Sequence, residues 1–197
     1  MGLRITSLTR VDSTGPAAGL QALSNNDVAP ARQNLLVTSF QIRPISPAEH
    51  DALGEVSIRS YLEDGLLLGG LDDPYAPNLR DVALRAASAT VLVAVDGDTG
   101  AILGGVTLAF HGSSMAQLAG PGEAEIRMLA VDPGAQGRGV GSALAVACVE
   151  RARNAEGTKR VVLCSQQAMT TAHRLYARLG FERAPELDWY PLPKVLL

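Results

Sequence analysis

The chain has 197 residues, of which 47% are hydrophobic and 19% charged, and its formal net charge is −3. These values are typical of one globular domain with a substantial core, and they exclude a disordered chain. The small negative charge and the 4% of aromatic residues argue against a nucleic-acid partner, and no apolar run approaches the roughly 20 residues of a membrane helix. The sequence therefore predicts a cytoplasmic protein with neither nucleic acid nor a membrane among its partners.

The N-terminal segment shows no clear periodicity and is rich in small and polar residues. We interpret residues 1–36 as a mobile N-terminal extension and residues 37–197 as the folded domain. Docking of this extension onto a partner chain is left open, and with it a homodimer. The start of the chain matches a myristoylation pattern only loosely, and it lacks the apolar core of a secretory signal.

The first predicted elements are a strand that begins near Ser39 and a helix that follows it directly. The segment Ser46-Pro47-Ala48-Glu49 combines a serine N-cap, a proline at the first helical position and a glutamate three residues after the cap. This capping box predicts a helix to about Leu62. After a glycine- and aspartate-rich loop, we expect Asn78 to cap a second short helix through Ala87.

Two strands, Ala89–Val95 and Ile102–Phe110, are predicted next, because Asp-Gly and Thr-Gly pairs separate two apolar runs. A polar, glycine-rich loop from His111 to Gly122 leads to a third apolar strand, Glu125–Val131. That strand must stop at Asp132-Pro133-Gly134, because proline cannot continue a strand ladder.

The next segment is a glycine-rich loop, Gln136-Gly137-Arg138-Gly139-Val140-Gly141-Ser142, which leads into a helix. Its glycines let the backbone approach a ligand closely, and the first N–H groups of the helix have no intrahelical partner. Because the helix dipole places partial positive charge there, we expect the loop to bind a phosphate. It has neither the Rossmann glycine spacing nor the Walker A lysine. An ordinary turn, with glycines that serve tight packing, is the alternative.

The remaining predicted elements are two helices, the strand between them and a final extended segment: Val140–Arg153, Arg160–Ser165, about Met169 to Leu179, and Glu182–Tyr190. Cys148 on a buried helix face and Cys164 in an apolar strand are interpreted as core residues in a reducing compartment. Three histidines and two distant cysteines give no metal-ligand spacing, so no metal is expected.

Two motifs together resemble those of the GCN5-related N-acetyltransferases, the GNAT family. Gln136, Gly139 and Gly141 fit the family's coenzyme A loop, Q/R-x-x-G-x-G/A, after a strand that ends L-A-V-D-P. The segment Ala172–Phe181 is similar to the family's L-Y-x-x-x-G-F. The resemblance implies an α/β fold: a mixed, mostly antiparallel central sheet with helices on both faces, and a splayed pair of parallel strands at the coenzyme A site.

The resemblance also implies a function, which is transfer of an acetyl group from acetyl-CoA to a primary amine by direct attack in a ternary complex. The pyrophosphate would lie on the amides of Gly137–Ser142, with added charge from Arg138. The pantetheine arm would follow Leu129–Val131, and the Leu129 amide would meet the thioester oxygen. The implied cofactor-binding residues are Leu129, Ala130, Val131, Gln136, Gly137, Arg138, Gly139, Val140, Gly141 and Ser142.

Two side chains are candidates for proton transfer. Glu125 stands where several family members place a glutamate base, and an acid in an apolar strand is a candidate functional residue. Glu123 and a water chain are alternatives, and a Glu125 that merely pairs with Arg127 is another. Tyr176, at the family's general-acid position, would protonate the departing thiolate, although a tyrosine there would also fill the inner face of its helix.

The sequence departs from the family pattern at Met169, where many members have an asparagine that contacts the pantetheine arm. That contact would then be lost, or a neighbour such as Thr170 or Thr171 would supply it. The family also closes with two strands, whereas only Lys194–Leu197 follow Pro193, so the last strand is expected to be short or made differently.

The acceptor is not defined by the sequence beyond a small-molecule or peptide amine. Its site would be shaped by residues 61–73, by the His111–Gly122 loop and by Trp189–Tyr190. A non-catalytic acyl-CoA-binding module of the same fold is the alternative function, and a nucleotide-phosphate enzyme is a third.

Overall fold

A computed structural model of the chain describes residues 2–5 and 40–188. The helices and strands of these residues are, in chain order, β1 (Gly2–Ile5), β2 (Phe40–Pro44), α1 (His50–Glu63), α2 (Ala76–Arg80), α3 (Val82–Ser88), β3 (Thr90–Asp96), β4 (Ile102–Phe110), β5 (Glu123–Val131), α4 (Val140–Asn154), β6 (Arg160–Cys164), α5 (Thr170–Arg178) and β7 (Glu182–Arg183).

The strands form one mixed sheet in the order β2-β3-β4-β5-β6-β1-β7. All neighbours are antiparallel except β5 and β6, which run parallel. Alternate residues of β3 show that helices cover both faces of the sheet. Leu92 and Ala94 pack in one core cluster with α4, whereas Val91 and Val93 pack in another with Leu53 of α1. The predicted fold class is therefore confirmed.

The entry into α1 follows the predicted capping box. The Ser46 backbone N–H and hydroxyl donate to Glu49 Oε2 at 2.9 and 2.7 Å, while Arg43 donates to both Glu49 oxygens. The Arg43 hydrogen bond lowers the pKa of Glu49 to about 2. A short 3₁₀ turn, Pro47–Glu49, precedes the α-helical part, which extends one residue beyond the predicted end at Leu62.

The predicted second helix differs from the observed structure. Where one helix was predicted, the structure has two short helices, α2 and α3. The residue that caps α3 is Asp81, whose Oδ1 accepts the Leu84 N–H at 2.8 Å. The prediction of Asn78 as the cap was wrong, because Asn78 lies inside α2, after Pro77 at the start of that helix.

Two glycines of β4 let its neighbours approach closely. A Cβ at Gly104 would lie 2.5 Å from the Ala130 carbonyl oxygen of β5, and one at Gly105 would lie 2.5 Å from Leu53 Cδ1 of α1. Both distances are shorter than van der Waals contact, so no larger residue fits without displacing β5 or the Leu53 side chain. This packing fixes β5, which carries the candidate site.

Strand β1 was not predicted from the sequence. It lies between β6 and β7, with residues 2–5 opposite 161–164 and Leu3 and Arg4 opposite Arg183 and Glu182. The boundary at residue 36 itself stays a prediction. The predicted extended segment Glu182–Tyr190 was wrong in part, because a 3₁₀ turn, Pro185–Leu187, follows β7. Trp189, Tyr190 and residues 191–197 lie outside the described residues.

None of the helices in the described part of the chain has the length and hydrophobicity that crossing a bilayer requires.

Candidate functional site

A bulge in β5 opens the sheet between β5 and β6. Gly105 pairs with Ala130 and Thr107 pairs with Arg127, so two residues of β5, Met128 and Leu129, lie opposite one residue of β4. Met128 has a φ of 52°, a strained value for a side-chain-bearing residue. Pairing of β5 with β6 runs from Glu123 only to Ile126, so the two strands separate before Leu129. The implied splayed pair of parallel strands is present.

The loop after β5 forms an open backbone cradle at the start of α4. Gly137 and Gly139 have φ values of 76° and 83°, and no atom lies within 4 Å of the position of a Cβ at either residue. These two glycines therefore serve backbone conformation and not tight packing. The Ala143 N–H donates to Gly139 O at 3.0 Å, so the amides of residues 140–142 precede the hydrogen-bonded part of the helix.

Helix α1 holds the segment before this cradle. Arg59 donates to Asp132 Oδ2 at 2.6 Å and lowers the pKa of that carboxyl, while the Gly134 N–H donates to Oδ1 at 3.0 Å. The Gln136 side chain lies next to that of Asp64, which follows the last residue of α1. The orientation of the loop therefore depends on contacts between residues far apart in the sequence.

Arg138, expected to add charge for a phosphate, forms an ion pair with Asp96 at the end of β3, at 3.1 Å. The Arg138 side chain is 41% exposed. Its position is compatible with both roles, as a tether between the loop and β3 and as a source of positive charge.

A cavity of about 600 Å³ lies where β5 and β6 separate. Leu129, Ser165 and Tyr176 line this part of it. The opposite wall comes from α1–α3, the connection between α1 and α2, and the loop before β5, through Tyr61, Leu66, Leu68, Asp73, Pro74, Tyr75, Asn78, Asp81, Leu84, Arg85, Ser114, Met115, Gln117 and Leu118. Two of the regions predicted to shape the acceptor site thus contribute to one cavity, while the third, Trp189–Tyr190, lies outside the described residues.

Tyr176 lines the cavity and also belongs to the core. It is 4% exposed, and its ring centroid lies 5.6 Å from that of Phe181. Burial raises the pKa of Tyr176 above its usual value, so the phenol keeps its proton at neutral pH. The structural and the functional interpretations of this tyrosine are therefore compatible.

Glu125 is 2% exposed and lines the same cavity. Its Oε2 accepts the backbone N–H groups of Gln117 and Leu118, each at 2.7 Å, and that of Ala119 at 3.3 Å. Its Oε1 lies 3.6 Å from Arg127 Nε. Glu125 thus anchors the loop before β5 and pairs with Arg127, and only Oε1 carries no bond to that loop.

Glu123, the alternative base, is held by other groups. Its Oε1 lies 2.9 Å from Arg160 Nε, and its Oε2 accepts the Gly120 N–H at 2.9 Å. Glu123 itself is buried, and its ion pair with the partly exposed Arg160 lies at the start of β5, two residues further from the bulge than Glu125.

Two residues that sequence reasoning missed meet beside the splayed strands. Ser165, which follows β6 and is buried, lies with Oγ 3.0 Å from His173 Nε2 of α5, and Met169 Sδ lies 3.5 Å from the same hydroxyl. Burial lowers the pKa of His173, which favours the neutral imidazole. Ser165 stands at the carboxyl end of a parallel strand, where side chains often reach a ligand, and this position was the available signal.

Both cysteines are in the reduced, thiol form. Cys148 is buried in the core, and burial raises its pKa to about 12. Cys164 is half-buried and lines the cavity, with Sγ 3.9 Å from Leu187 O. Within residues 2–5 and 40–188, no three His, Cys, Asp or Glu side chains come together as a metal site.

Comparison with known proteins agrees with this geometry. The family model described as "Acetyltransferase (GNAT) family" matches residues 57–181. A mycothiol acetyltransferase from Salinispora tropica is 40% identical over 82 residues, which cover 40% of this chain and 26% of that protein. A second one, from Salinispora arenicola, is 40% identical over 75 residues, or 38% and 24% of the two chains. The chain thus spans about a quarter of the length of these curated relatives.

Solved structures share the fold. An acetyltransferase from Corynebacterium glutamicum superposes with a TM-score of 0.59 at 25% identity, over 80% of this chain and 91% of that one. A GCN5-related N-acetyltransferase from Ralstonia eutropha gives 0.57 at 24% identity, over 78% and 99%. A GNAT family acetyltransferase from Brucella melitensis, solved in complex with acetyl-CoA, gives 0.51 at 23% identity, over 73% and 83%.

Proposed function

This chain belongs to the acetyltransferase (GNAT) family, and on that premise we propose that it acetylates a primary amine, which attacks acetyl-CoA directly in a ternary complex. Membership makes it an N-acetyltransferase, and acetyl-CoA is the co-substrate of that family. One observation supports the proposed acetyl transfer above the others. Within residues 128–142, the bulge, the glycine cradle and the start of α4 follow one another directly along the chain.

The cradle would bind the diphosphate of acetyl-CoA. Open space beside Gly137 and Gly139 leaves their backbone accessible. The amides of residues 140–142 form the positive end of the α4 dipole and lie next to these glycines. Gln136 and Arg138 would hold the loop in position through Asp64 and Asp96. When bound, acetyl-CoA supplies an acetyl group activated as a thioester.

β6 does not pair with Leu129, Ala130 and Val131, and this edge of β5 would hold the pantetheine arm. The Val131 N–H there donates to Ser60 Oγ of α1 at a long 3.4 Å, a bond that the arm would replace or share. The bulge would turn the Leu129 amide toward the thioester oxygen, and this donor would stabilise the negative charge that develops there. Tyr176 would give its proton to the departing sulfur, a role for which its raised pKa keeps it protonated.

Glu125 is the better candidate for the base, because it lines the cavity while Glu123 pairs with Arg160. Three loop amides bind Oε2, so Oε1, which also faces Arg127 Nε at 3.6 Å, would accept the amine proton, directly or through a water. The same amides would keep the carboxylate fixed in place during each turnover.

The proposal is tested by calorimetry with acetyl-CoA and by thiol release with a panel of primary amines. A matched pair of variants isolates the cradle. Gly139→Ala and Gly157→Ala both place a Cβ at a positive φ, 83° and 75°, and both point it into open space. The strain is therefore similar, of order 1–3 kcal/mol, but only Gly139 lies in the cradle.

We expect Gly139→Ala to lose most of its acetyl-CoA affinity while Gly157→Ala retains it at a similar melting temperature. Equal affinity in the two variants would contradict the assignment of the cradle. Tight binding with no thiol release for any amine would instead favour the non-catalytic acyl-CoA-binding alternative.

A further inference from the structure

The acceptor side of the cavity contains a buried arginine without an acidic partner. Arg85 of α3 lines the cavity and is 1% exposed. One Nη donates to Leu79 O at 2.8 Å and the other to Thr107 Oγ1 at a long 3.4 Å. Nε has no hydrogen-bond partner, and among the ion pairs of the described residues none includes Arg85.

The other charged groups of the cavity wall are already engaged. Arg127 lies beside Glu125, and its Nη1 donates to Met115 O. Asp73 accepts the Gly69 and Tyr75 N–H groups at 3.1 and 2.9 Å. Asp81 caps α3 and is exposed. The positive charge of Arg85 is therefore left without a neutralising contact.

Such an arrangement is unfavourable for the folded protein alone. Burying a charge costs several kcal/mol unless a partner and further hydrogen bonds compensate for it. Burial accordingly lowers the pKa of Arg85. A neutral side chain could also bond Leu79 O, so the hydrogen bonds within the protein do not explain why an arginine occupies this position. A ligand that brings a negative charge does explain it.

We propose that the amine acceptor also carries a carboxylate, and that the Arg85 guanidinium binds this carboxylate. This inference rests on the proposed acetyl transfer and names the class of acceptor. A guanidinium presents two parallel N–H groups that match the two oxygens of a carboxylate. Asp73 and Glu125 line the same cavity and would repel a phosphate dianion more strongly than a monoanion. The acceptor is therefore an amino acid or a similar amino carboxylate.

Matched substrates test the charge. Initial rates are measured at saturating acetyl-CoA for L-amino acids and their amides, such as L-alanine and L-alaninamide, which differ in the carboxylate. A second pair, β-alanine and phosphoethanolamine, separates a carboxylate from a phosphate. We expect a KM at least about tenfold lower for the carboxylate member of each pair, the effect of one charge-assisted hydrogen-bonded pair.

Matched variants test the residue. Arg85→Met retains most of the side-chain length and removes the charge. Arg85→Lys retains the charge and loses the paired N–H groups. The control is Arg80→Met, at an arginine of α2 that pairs with Glu55. We expect the carboxylate-to-amide KM ratio to reach about one in Arg85→Met and an intermediate value in Arg85→Lys, while Arg80→Met retains the native ratio. The two amines of a pair differ in basicity, but this difference affects every variant equally. It therefore cancels when the carboxylate-to-amide KM ratio of one variant is compared with that of another.

Melting temperature separates binding from a structural role. Because the unpaired charge is removed, Arg85→Met should melt no lower than the native protein. A lower melting temperature with an unchanged KM ratio would overturn the inference, and where Arg85→Met does not fold, Arg85→Lys decides.

Three further outcomes would overturn the inference. The amides could react as well as the amino acids or better, phosphoethanolamine could be preferred to β-alanine, or no amino carboxylate could be acetylated. Acetylation of neutral amines would leave the proposed function intact. Loss of acetyl-CoA binding in the native protein would contradict the proposed function itself.

Discussion

The two halves of the candidate site are built from different materials. The proposed donor half, from the bulge in β5 to the start of α4, consists of backbone: a positive φ at Met128, glycines at 137 and 139, and the first amides of a helix. The proposed acceptor half consists of side chains that α1, α2, α3 and the loop before β5 bring together around one cavity. A site made of backbone suits a ligand that is common to a whole family, here acetyl-CoA. A site made of side chains can differ from one protein to the next and so select a particular acceptor.

Tyr176 and Tyr75 offer the largest contrast between the halves, because both line the cavity but on different sides. Tyr176 lies beside the splayed strands, while Tyr75 lies near Arg127 and contacts Tyr61 with ring centroids 6.2 Å apart. We expect Tyr176→Phe to lower kcat by about 10²–10⁴-fold with little change in acetyl-CoA affinity, since general-acid catalysis contributes that much. Tyr75→Phe should raise the acceptor KM and leave kcat within a few-fold.

Steady-state kinetics with both substrates varied measures this contrast. Because burial raises the pKa of Tyr176, the native protein should show no loss of kcat from tyrosine ionisation up to about pH 10, the usual tyrosine value. A kcat for Tyr176→Phe within threefold of the native value would remove the tyrosine from the mechanism.

Gly104 and Gly105 test whether the donor half depends on backbone position. In Gly104→Ala the new Cβ meets the Ala130 carbonyl oxygen, which can move only with β5, next to the bulge. In Gly105→Ala the contact at the same distance, 2.5 Å, is with the end of the Leu53 side chain, although Leu92 O also lies at 3.1 Å. We expect both to lose about 1–3 kcal/mol of unfolding free energy.

Only Gly104→Ala should also lose acetyl-CoA affinity, by about tenfold or more if the strand edge shifts by a few tenths of an ångström. Chemical denaturation and calorimetry on the two variants provide the comparison. Similar losses of acetyl-CoA affinity in both would mean that general destabilisation, and not the position of β5, controls the donor half.

The same contrast decides what could be predicted from the sequence. Strand, turn and helix signals lie within one stretch around the glycine loop, so the donor half and the order of most elements were predictable. The Arg85–Thr107 contact, the Ser165–His173 pair and the insertion of β1 between β6 and β7 join residues separated in the chain. No local pattern encodes such contacts. The cap at Asn78 failed for a smaller reason, since Asp81 lies only three residues away and competes for the same role.

Glu49 provides the smallest effect and a reference outside both halves. It caps the helix that carries Arg59 and Ser60, and Arg43 lowers its pKa to about 2 from a usual value near 4.5. The stabilisation is therefore complete above about pH 4.5 and is lost as the pH falls toward 2, because protonation breaks the ion pair. The pair is partly exposed, so we expect Glu49→Gln to cost only about 0.5–1 kcal/mol at pH 7 and nothing near pH 2. Thermal unfolding at several pH values measures the difference. In Glu49→Gln the acetyl-CoA affinity and the acceptor KM should not change, because the cap lies at the opposite end of α1 from Arg59 and Asp64. A change in either value would show that the donor half depends on the whole helix and not on its last turns.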